Sequence, residues 1–351
     1  MRVLCVNDRP PGGDSGAEVH LELLVQGLEA AGDTVEVFHG TARSGFARLS
    51  DAWDPRARAD LESRVAAFKP DVLHVHNVVR ELSIAVLAAS PTVPRVMTVH
   101  DGRLLGDADG GNPLVRTWQQ ARSGWERRFV RHRCGKVLAV SGPLAARLTA
   151  AGFRDVHRAW PWAAAPTAAL TPPALSRDLL FLGRLSRDKG VHLLVEAFLA
   201  ADRADARLLL AGTGPLALPE DPRVVRLGRL SRAEVSAQLG AARAVLLPSL
   251  PSLRPEGAPL ALIEGLVHGR SLLVSDDPGC REVARGGTSQ PAGLVTPAGD
   301  VRALAAAIGE LLDHDRLVES LVSGAAAAAP EHSPAAGLAR VRQAYDLAIG
   351  R

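Results

Sequence analysis

Short apolar runs without strict alternation recur along the chain, each followed by a stretch whose apolar residues keep helical spacing. Strands look like this when helices cover both faces of a sheet, so the pattern predicts an α/β architecture with parallel strands. In the first half the strands fall at residues 3–6, 34–38, 71–75, 95–99, 136–140 and 156–160, and the helices at 17–31, 57–68, 80–89, 114–133 and 142–151. A second series starts afresh, with strands at 178–182, 207–211, 224–227, 244–247, 271–275 and 293–295. Its helices are 190–200, 232–239, one ending near Gly269, a short one near Arg281, then 301–312 and 315–328. A last helix, 335–349, has no strand after it.

Two such series in 351 residues are more than one core usually holds. The expectation is two doubly wound, Rossmann-like domains facing each other across a cleft, at 1–163 and 177–330. A Pro- and Ala-rich segment without periodicity, 164–176, is read as the linker.

Charge removes some function classes. The 41 basic and 38 acidic residues leave a net charge of +3, only Lys69, Lys136 and Lys189 are lysines, and there is one tyrosine, so no nucleic-acid partner is expected. Cys5, Cys134 and Cys280 are widely spaced and read as buried thiols, not as a disulfide framework or zinc site. The opening residues do not form a signal peptide, and no apolar run reaches membrane-spanning length. A cytoplasmic protein without integral membrane association is expected, and no strongly basic amphipathic helix stands out.

Candidate chemistry gathers where strands end. In the second half, residues 248–269 read as a loop and then a helix, with Glu256 ahead of the helix and Glu264 within it. Eight helical steps would set the two carboxylates roughly 12 Å apart along the axis. Free N–H groups and the positive helix end between them, at Gly257, Ala258, Pro259 and Leu260, would favour a phosphate. One carboxylate could then accept from sugar hydroxyls and the other from ribose. Arg184 and Lys189 follow another strand and open another helix, a placement suited to gripping phosphate oxygens. In the first half, the Gly12-Gly13 loop follows the first strand, and His74, His76 and His100 stand at strand ends, where open α/β sheets bind ligands. Asp101 could equally cap a turn, His20 reads as a surface residue, and Asp276 and Asp277 are given no role.

These residues resemble the retaining glycosyltransferases of glycosyltransferase family 4. The likeness rests on Pro248-Ser249, Glu256-Gly257-Ala258-Pro259-Leu260 and Glu264, an E-x7-E pattern, on Gly183-Arg184-Leu185 with Lys189-Gly190, on Thr98-Val99-His100-Asp101, and on Gly12-Gly13. It implies the two-domain GT-B fold, with the final helix, 331–351, packing back on the first domain. It implies Glu256, His100, Arg184 and Lys189 as catalytic residues. The implied donor site is Gly13, Arg184, Lys189, Glu256, Gly257, Ala258, Pro259, Leu260 and Glu264; Gly12, Gly13 and Asp101 are placed on the acceptor side. The chain departs from the pattern at residues 159–164, where many relatives have an NGVD-like loop, so no acceptor contact is carried over there; Ala258 and Pro259 replace a frequent Phe and Gly.

What the resemblance implies for activity is transfer of a hexose or N-acetylhexosamine, with retention and without a metal or cofactor. The donor would be a nucleotide-diphosphate sugar, most simply uridine-linked, and the acceptor a hydroxyl, expected on a small soluble molecule such as an aminocyclitol, sugar or natural product. The alternatives are a nucleotide-sugar epimerase or phosphorylase of the same fold, a transferase with a lipid acceptor, and a non-catalytic sugar-nucleotide binder.

Overall fold

A computed structural model describes residues 1–13, 15–40, 53–78, 81–107, 113–286 and 290–350. Among these the chain forms two six-stranded parallel sheets, each in its own unit: Met1–Pro161 with Pro334–Arg351, and Trp162–Ser333.

Unit 1 contains β1 (Arg2–Asn7), α1 (Gly16–Ala30), β2 (Thr34–His39), α2 (Pro55–Phe68), β3 (Val72–Val75), β4 (Arg95–Val99), α3 (Pro113–Arg133), β5 (Lys136–Ala139), α4 (Gly142–Ala150) and β6 (Val156–Arg158). Unit 2 contains β7 (Asp178–Leu182), α5 (Val191–Ala201), β8 (Arg207–Ala211), β9 (Val224–Gly228), α6 (Arg232–Ala241), β10 (Ala244–Leu247), α7 (Leu260–Val267), β11 (Ser271–Ser275), α8 (Pro278–Arg285), β12 (Gly293–Thr296), α9 (Val301–Asp313) and α10 (Asp315–Ala328). The closing helix, α11 (Pro334–Ile349), returns to unit 1.

The strand order is β2-β1-β3-β4-β5-β6 in unit 1 and β12-β11-β10-β7-β8-β9 in unit 2. Each order reverses once, between β1 and β3 and between β7 and β10. At such a point the connections leave in opposite directions and open a crevice at the carboxyl ends of the strands. The central strands are buried on both faces, as the unbroken runs VLCV, VLHV and AVLL require.

One predicted helix differs. Residues 81–89 form a short 3-10 helix, Ile84–Ala88, not an α-helix; Arg80 lies outside the described residues. The carboxylate of Asp8 accepts the N–H groups of Glu81 and Leu82, and Ser83 takes a left-handed φ of 62° and caps the 3-10 turn. Those bonds hold the segment to the end of β1 and leave too few residues before Pro91 for an α-helix.

Residues 164–176 lie along unit 2. The fully buried guanidinium of Arg243 donates to the carbonyls of Pro173, Ala174 and Ser176, and that of Arg270 donates to the carbonyl of Thr171. Arg243 also pairs with Asp315 and bonds the Leu311 carbonyl, and Arg270 also bonds the carbonyls of Ala242 and His268, so the segment supplies part of the acceptor set that two buried cations need and completes the core beneath it. Among the described residues, no helix is long and apolar enough to cross a membrane.

Candidate active site

Unit 2 builds its site at the reversal between β7 and β10. β7 runs into Gly183, and the loop reaches α5 through the short 3-10 turn Arg187–Lys189 and Gly190. Gly190 has a left-handed φ of 68°, and a Cβ there would stand 2.0 Å from the carbonyl oxygen of Pro248. Only glycine lets the loop after β7 lie against the loop after β10. The Leu250 N–H, donating to the Asp188 carbonyl at 2.8 Å, joins the same two loops.

That contact places Lys189 on Glu256. The Lys189 Nζ donates to Glu256 Oε1 at 2.5 Å, and the buried Ser249 hydroxyl donates to the same oxygen at 2.6 Å. Among the described residues Glu256 Oε2 accepts no bond, so one carboxylate oxygen remains for a ligand. Burial pushes the Glu256 carboxyl up, but the charge and hydrogen bond of Lys189 and the Ser249 bond outweigh it, and its pKa lies below the usual value. Glu256 is therefore ionised at neutral pH. Arg184 bonds Asp188 at 3.0 Å and keeps about half its surface exposed, 52%. Burial raises the Asp188 carboxyl, but the nearby Ser186 hydroxyl and the charges of Arg184, Lys189 and Arg254 bring it below the usual range.

α7 begins at Leu260, four residues after Glu256, with Pro259 at its N-cap and no side chain capping it. Its N-terminal dipole end is thus left to whatever occupies the loop. Gly257 does not take a left-handed φ; the crowded glycine is Gly279, where a Cβ would lie 2.6 Å from the Glu256 carbonyl. Asp277 explains the approach: its carboxylate accepts the N–H groups of Glu256, Gly279 and Cys280, capping α8 while fixing the backbone of Glu256. Burial raises its pKa, so charge is held there by three backbone donors and not by a cation. Glu264 is buried within α7 and pairs with Arg232 at 2.9 Å; burial raises its carboxyl more than Arg232 lowers it.

Unit 1 builds a different surface at its own reversal, between β1 and β3. Gly12 takes a left-handed φ of 77°, and a Cβ on Gly13 would meet the Glu18 carboxylate at 1.8 Å. Glu18 closes a capping box with Ser15 at the start of α1. The Glu22 carboxylate would lie 3.7 Å from a Cβ on Gly12, so two acidic side chains adjoin this loop. Asp101 accepts the Arg103 N–H and caps the 3-10 turn Gly102–Leu105.

Behind the loop stands a histidine cluster. His76 Nδ1 and His100 Nε2 share a hydrogen bond of 3.0 Å, and their rings stack at 5.3 Å. His74 bonds the Tyr345 hydroxyl of α11 at 2.6 Å and Thr98 Oγ1 at 2.7 Å. His20, expected at the surface, is buried, with its ring edge-on to His100 at 5.3 Å. Burial lowers the pKa of all four, His20, His74 and His100 to about 3 and His76 well below its usual value, and neighbouring histidines add to the shift. The cluster is neutral at pH 7. Cys5, His74 and His76 bring ligand-type atoms within 4.8 Å of one another, but His74 already uses both ring nitrogens on Tyr345 and Thr98, and burial pushes the Cys5 thiol up to about 12.

Each predicted residue of the second half, Arg184, Lys189, Glu256, Gly257, Ala258, Pro259, Leu260 and Glu264, lies in the loops and helix at the β7/β10 reversal, and the structure joins Lys189 directly to Glu256. Gly12, Gly13, His100 and Asp101 lie in unit 1. Two functional supports were not read from the sequence, Ser249 and Asp277. Ser249 stands in the quoted Pro-Ser pair, and Asp277 stands immediately before Pro278-Gly279, the ordinary signal of a helix cap followed by Pro at the first turn. The sequence also holds two D-x-D triplets, Asp107-Ala108-Asp109 and Asp313-His314-Asp315; Asp107 is bound by two guanidinium nitrogens of Arg147 and residues 108–109 lie outside those described, while Asp313 pairs with Arg203 and Asp315 with Arg243.

Two family models account for most of the chain: "Glycosyltransferase Family 4" matches residues 14–161, and "Glycosyl transferases group 1" matches residues 176–314. The chain belongs to the family 4, group 1 glycosyltransferases. Among curated relatives, this family 4 chain is 29% identical over 265 residues to a glycogen synthase of Mycobacterium tuberculosis, covering 70% of this chain and 61% of that one. It is 28% identical over 180 residues to a phosphatidyl-myo-inositol mannosyltransferase of Mycobacterium leprae, covering 50% of this chain and 47% of that one. The family 4 chain thus spans less than two thirds of the length of these relatives. Sucrose-phosphate synthase from Thermosynechococcus elongatus superposes with a TM-score of 0.77 at 17% identity over 99% of this chain and 98% of that one. Anabaena HepE in complex with UDP-glucose gives 0.72 at 17% over 98% of each. These likenesses show the GT-B fold, two Rossmann-like units, for this family 4 chain.

Proposed function

We propose that the chain is a retaining, metal-independent glycosyltransferase that moves a hexose or N-acetylhexosamine from a UDP-linked sugar to an acceptor hydroxyl. The observation that carries this reading is the Lys189–Glu256–Ser249 cluster at the β7/β10 reversal, beside the uncapped end of α7. Lysine has three donors; one serves Glu256, and two are left for phosphate oxygens. Arg184, half exposed, adds a guanidinium fork, and the α7 end adds its dipole. Glu256 offers its unbonded Oε2 to sugar hydroxyls, and Glu264 is the carboxylate for ribose. The curated relatives are named as glycosyl-transferring enzymes, and HepE is described with UDP-glucose, which supports a UDP-linked donor.

In the reaction, the bond between the anomeric carbon and the β-phosphate oxygen breaks as the acceptor oxygen bonds the same face of that carbon. The acceptor proton passes to the departing phosphate oxygen, so no protein nucleophile is needed and the products are the glycoside and UDP. Arg184, Lys189 and the α7 end stabilise the negative charge that grows on the leaving diphosphate. His100, as a neutral ring, positions the donor sugar. Glu18 is taken up by the Ser15 N–H and Arg9, but the Glu22 carboxylate beside Gly12 suits hydroxyls or an ammonium group better than phosphate, which supports a small polyhydroxylated or amino acceptor on that loop.

The test is thermal unfolding of the protein across a panel of nucleotide sugars, followed by anomeric analysis of the product with the best donor in the presence of a chelator. A stabilising shift selective for one UDP-sugar, lost in Glu264→Ala, and an α-linked product from an α-linked donor are expected. Conversion of the donor without any acceptor identifies an epimerase instead, and loss of turnover in the chelator removes metal independence.

A further inference from the structure

The first turn of α6 carries a cation where the helix dipole favours an acid. Ser231 caps α6 and closes a capping box with Glu234, and Arg232 stands at the first helical position between them. Its guanidinium pairs not within its own helix but with Glu264 of α7, at 2.9 Å; the arginine is 46% exposed, the carboxylate only 10%. Among the described residues Arg232 has no other ion pair, and Glu264 Oε2 accepts no bond. One turn further along both helices a second pair fixes how α6 lies on α7. The Thr167 N–H donates to the Ser236 hydroxyl oxygen at 3.1 Å, Ser236 Oγ and His268 Nε2 are 3.0 Å apart, and His268 Nδ1 lies 2.8 Å from the Glu264 carbonyl oxygen. A carbonyl only accepts, so Nδ1 carries the ring proton and Nε2 takes the Ser236 O–H. Ser236 and His268 are buried, and their chain of bonds ends on the backbone of Glu264 itself. With that register set, residues four positions earlier on each helix, Arg232 and Glu264, are brought side by side.

A buried carboxylate that accepts from ribose hydroxyls needs negative charge and a fixed position. Burial opposes the charge, and Arg232 is the cation that offsets it in part. A guanidinium on Oε1 also restrains the carboxylate and leaves Oε2 as the open acceptor. We propose that Arg232 is a positioning residue for the nucleotide: by holding Glu264 Oε1 it keeps Oε2 available to the ribose hydroxyls, and so gives the site its preference for a ribonucleotide. The inference rests on the reading of Glu264 as the ribose carboxylate. It adds a residue on another helix, α6, that acts on the ribose through Glu264 and not on the diphosphate.

The test is calorimetric titration of UDP, and of dideoxy-UDP lacking both ribose hydroxyls, into the wild type, Arg232→Met, Arg232→Lys and Glu264→Gln. Circular dichroism should show each variant folded. The wild type should bind UDP at least about tenfold more tightly than dideoxy-UDP, the worth of a hydrogen bond to a charged group. Arg232→Met should lose most of that preference through weaker UDP binding, with dideoxy-UDP affinity unchanged, and Arg232→Lys, which keeps the charge, should recover much of it. A preference retained in Arg232→Met but lost in Glu264→Gln would overturn the proposal and leave the ribose reading standing. Equal weakening of both ligands in Arg232→Met would sink it as well, since the arginine would then serve the diphosphate that the two share. A wild type that binds both alike, or a preference unaltered in Glu264→Gln, would remove the ribose reading and the proposal with it.

Discussion

The two sheets place opposite chemistry at equivalent points. At the β7/β10 reversal, polar groups are charged and matched: Lys189 meets Glu256, Arg184 meets Asp188, and Arg232 meets Glu264. At the β1/β3 reversal, four histidines are packed against one another and held neutral by burial. The first arrangement stabilises a charge that arrives or develops; the second offers hydrogen bonds without one. One fold therefore gathers paired charges at the reversal in one unit and, in the other, a neutral histidine cluster behind a loop flanked by Glu18 and Glu22.

The contrast breaks most sharply at Lys189. Replacing it by methionine removes a phosphate donor and leaves Glu256 buried with only Ser249, so kcat/KM should fall at least a hundredfold, about 2.7 kcal/mol of transition-state stabilisation. Glu256→Gln should lose a similar factor. Steady-state kinetics with the donor found by thermal shift checks both, and near-normal turnover in either variant would take the pair out of the reaction.

Acid comes next, and it separates the two units. Between pH 6.5 and 3 the unfolded chain protonates histidines that the folded chain keeps neutral, so stability falls as pH falls, by up to about 1.4 kcal/mol per pH unit for each independent histidine. The depressed pKa of Glu256 works only below the ordinary carboxylate range, and the raised values of Glu264 and Asp277 make acid stabilising, not costly. Unit 2 has two histidines of the same sign, His192 and His268, both lowered by burial, against four in the cluster of unit 1, so from pH 7 to 5 unit 1 should loosen more than unit 2. Hydrogen exchange by mass spectrometry, corrected for intrinsic rates, should show the larger opening in unit 1 peptides; equal loosening of both units would mean the cluster is not the main acid-sensitive element.

Removing the Tyr345 hydroxyl is a smaller change in the same cluster. Tyr345→Phe leaves the buried Nδ1 of His74 without its partner and should cost about 1–3 kcal/mol by denaturant unfolding. Because the bond ties α11 to β3, the loss should be accompanied by faster exchange in α11.

How much of this was legible depended on the kind of signal. Strands 178–182, 207–211, 244–247 and 271–275 were readable to the residue, since buried parallel strands are unbroken apolar runs ended by Gly, Pro or polar residues. The pairing of Lys189 with Glu256 was not, because it depends on Gly190 lying against Pro248, 58 residues away in the sequence but adjacent across the reversal. His20 was misplaced although a local signal existed: it stands four residues before Leu24 and eight before Leu28 on the face of α1 that is buried. A histidine is commonly exposed, and only the tertiary cluster of strand ends explains why this one is not. The 3-10 turn at 84–88 was hidden for a similar reason, since its cause, Asp8, sits far away in sequence, just past the end of β1.

The smallest test concerns the two helix starts. α1 is closed by Ser15 and Glu18, whereas α7 begins after Pro259 with no capping side chain. If the open end of α7 serves the donor diphosphate, then Pro259→Ser should stabilise the apo protein by no more than about 1 kcal/mol, because a serine oxygen would take one of the free N–H groups. The same oxygen would compete with phosphate, so nucleotide-sugar binding should weaken a few-fold by calorimetry. Ser15→Ala should do the reverse: it should cost about 1 kcal/mol of stability and leave donor affinity unchanged. Stabilisation by Pro259→Ser with unaltered or tighter donor binding would separate the α7 end from the diphosphate and leave Arg184 and Lys189 to hold it alone. The helix end would then contribute to the fold of the loop and not to its chemistry, and the difference between the two units would rest on side-chain charge only.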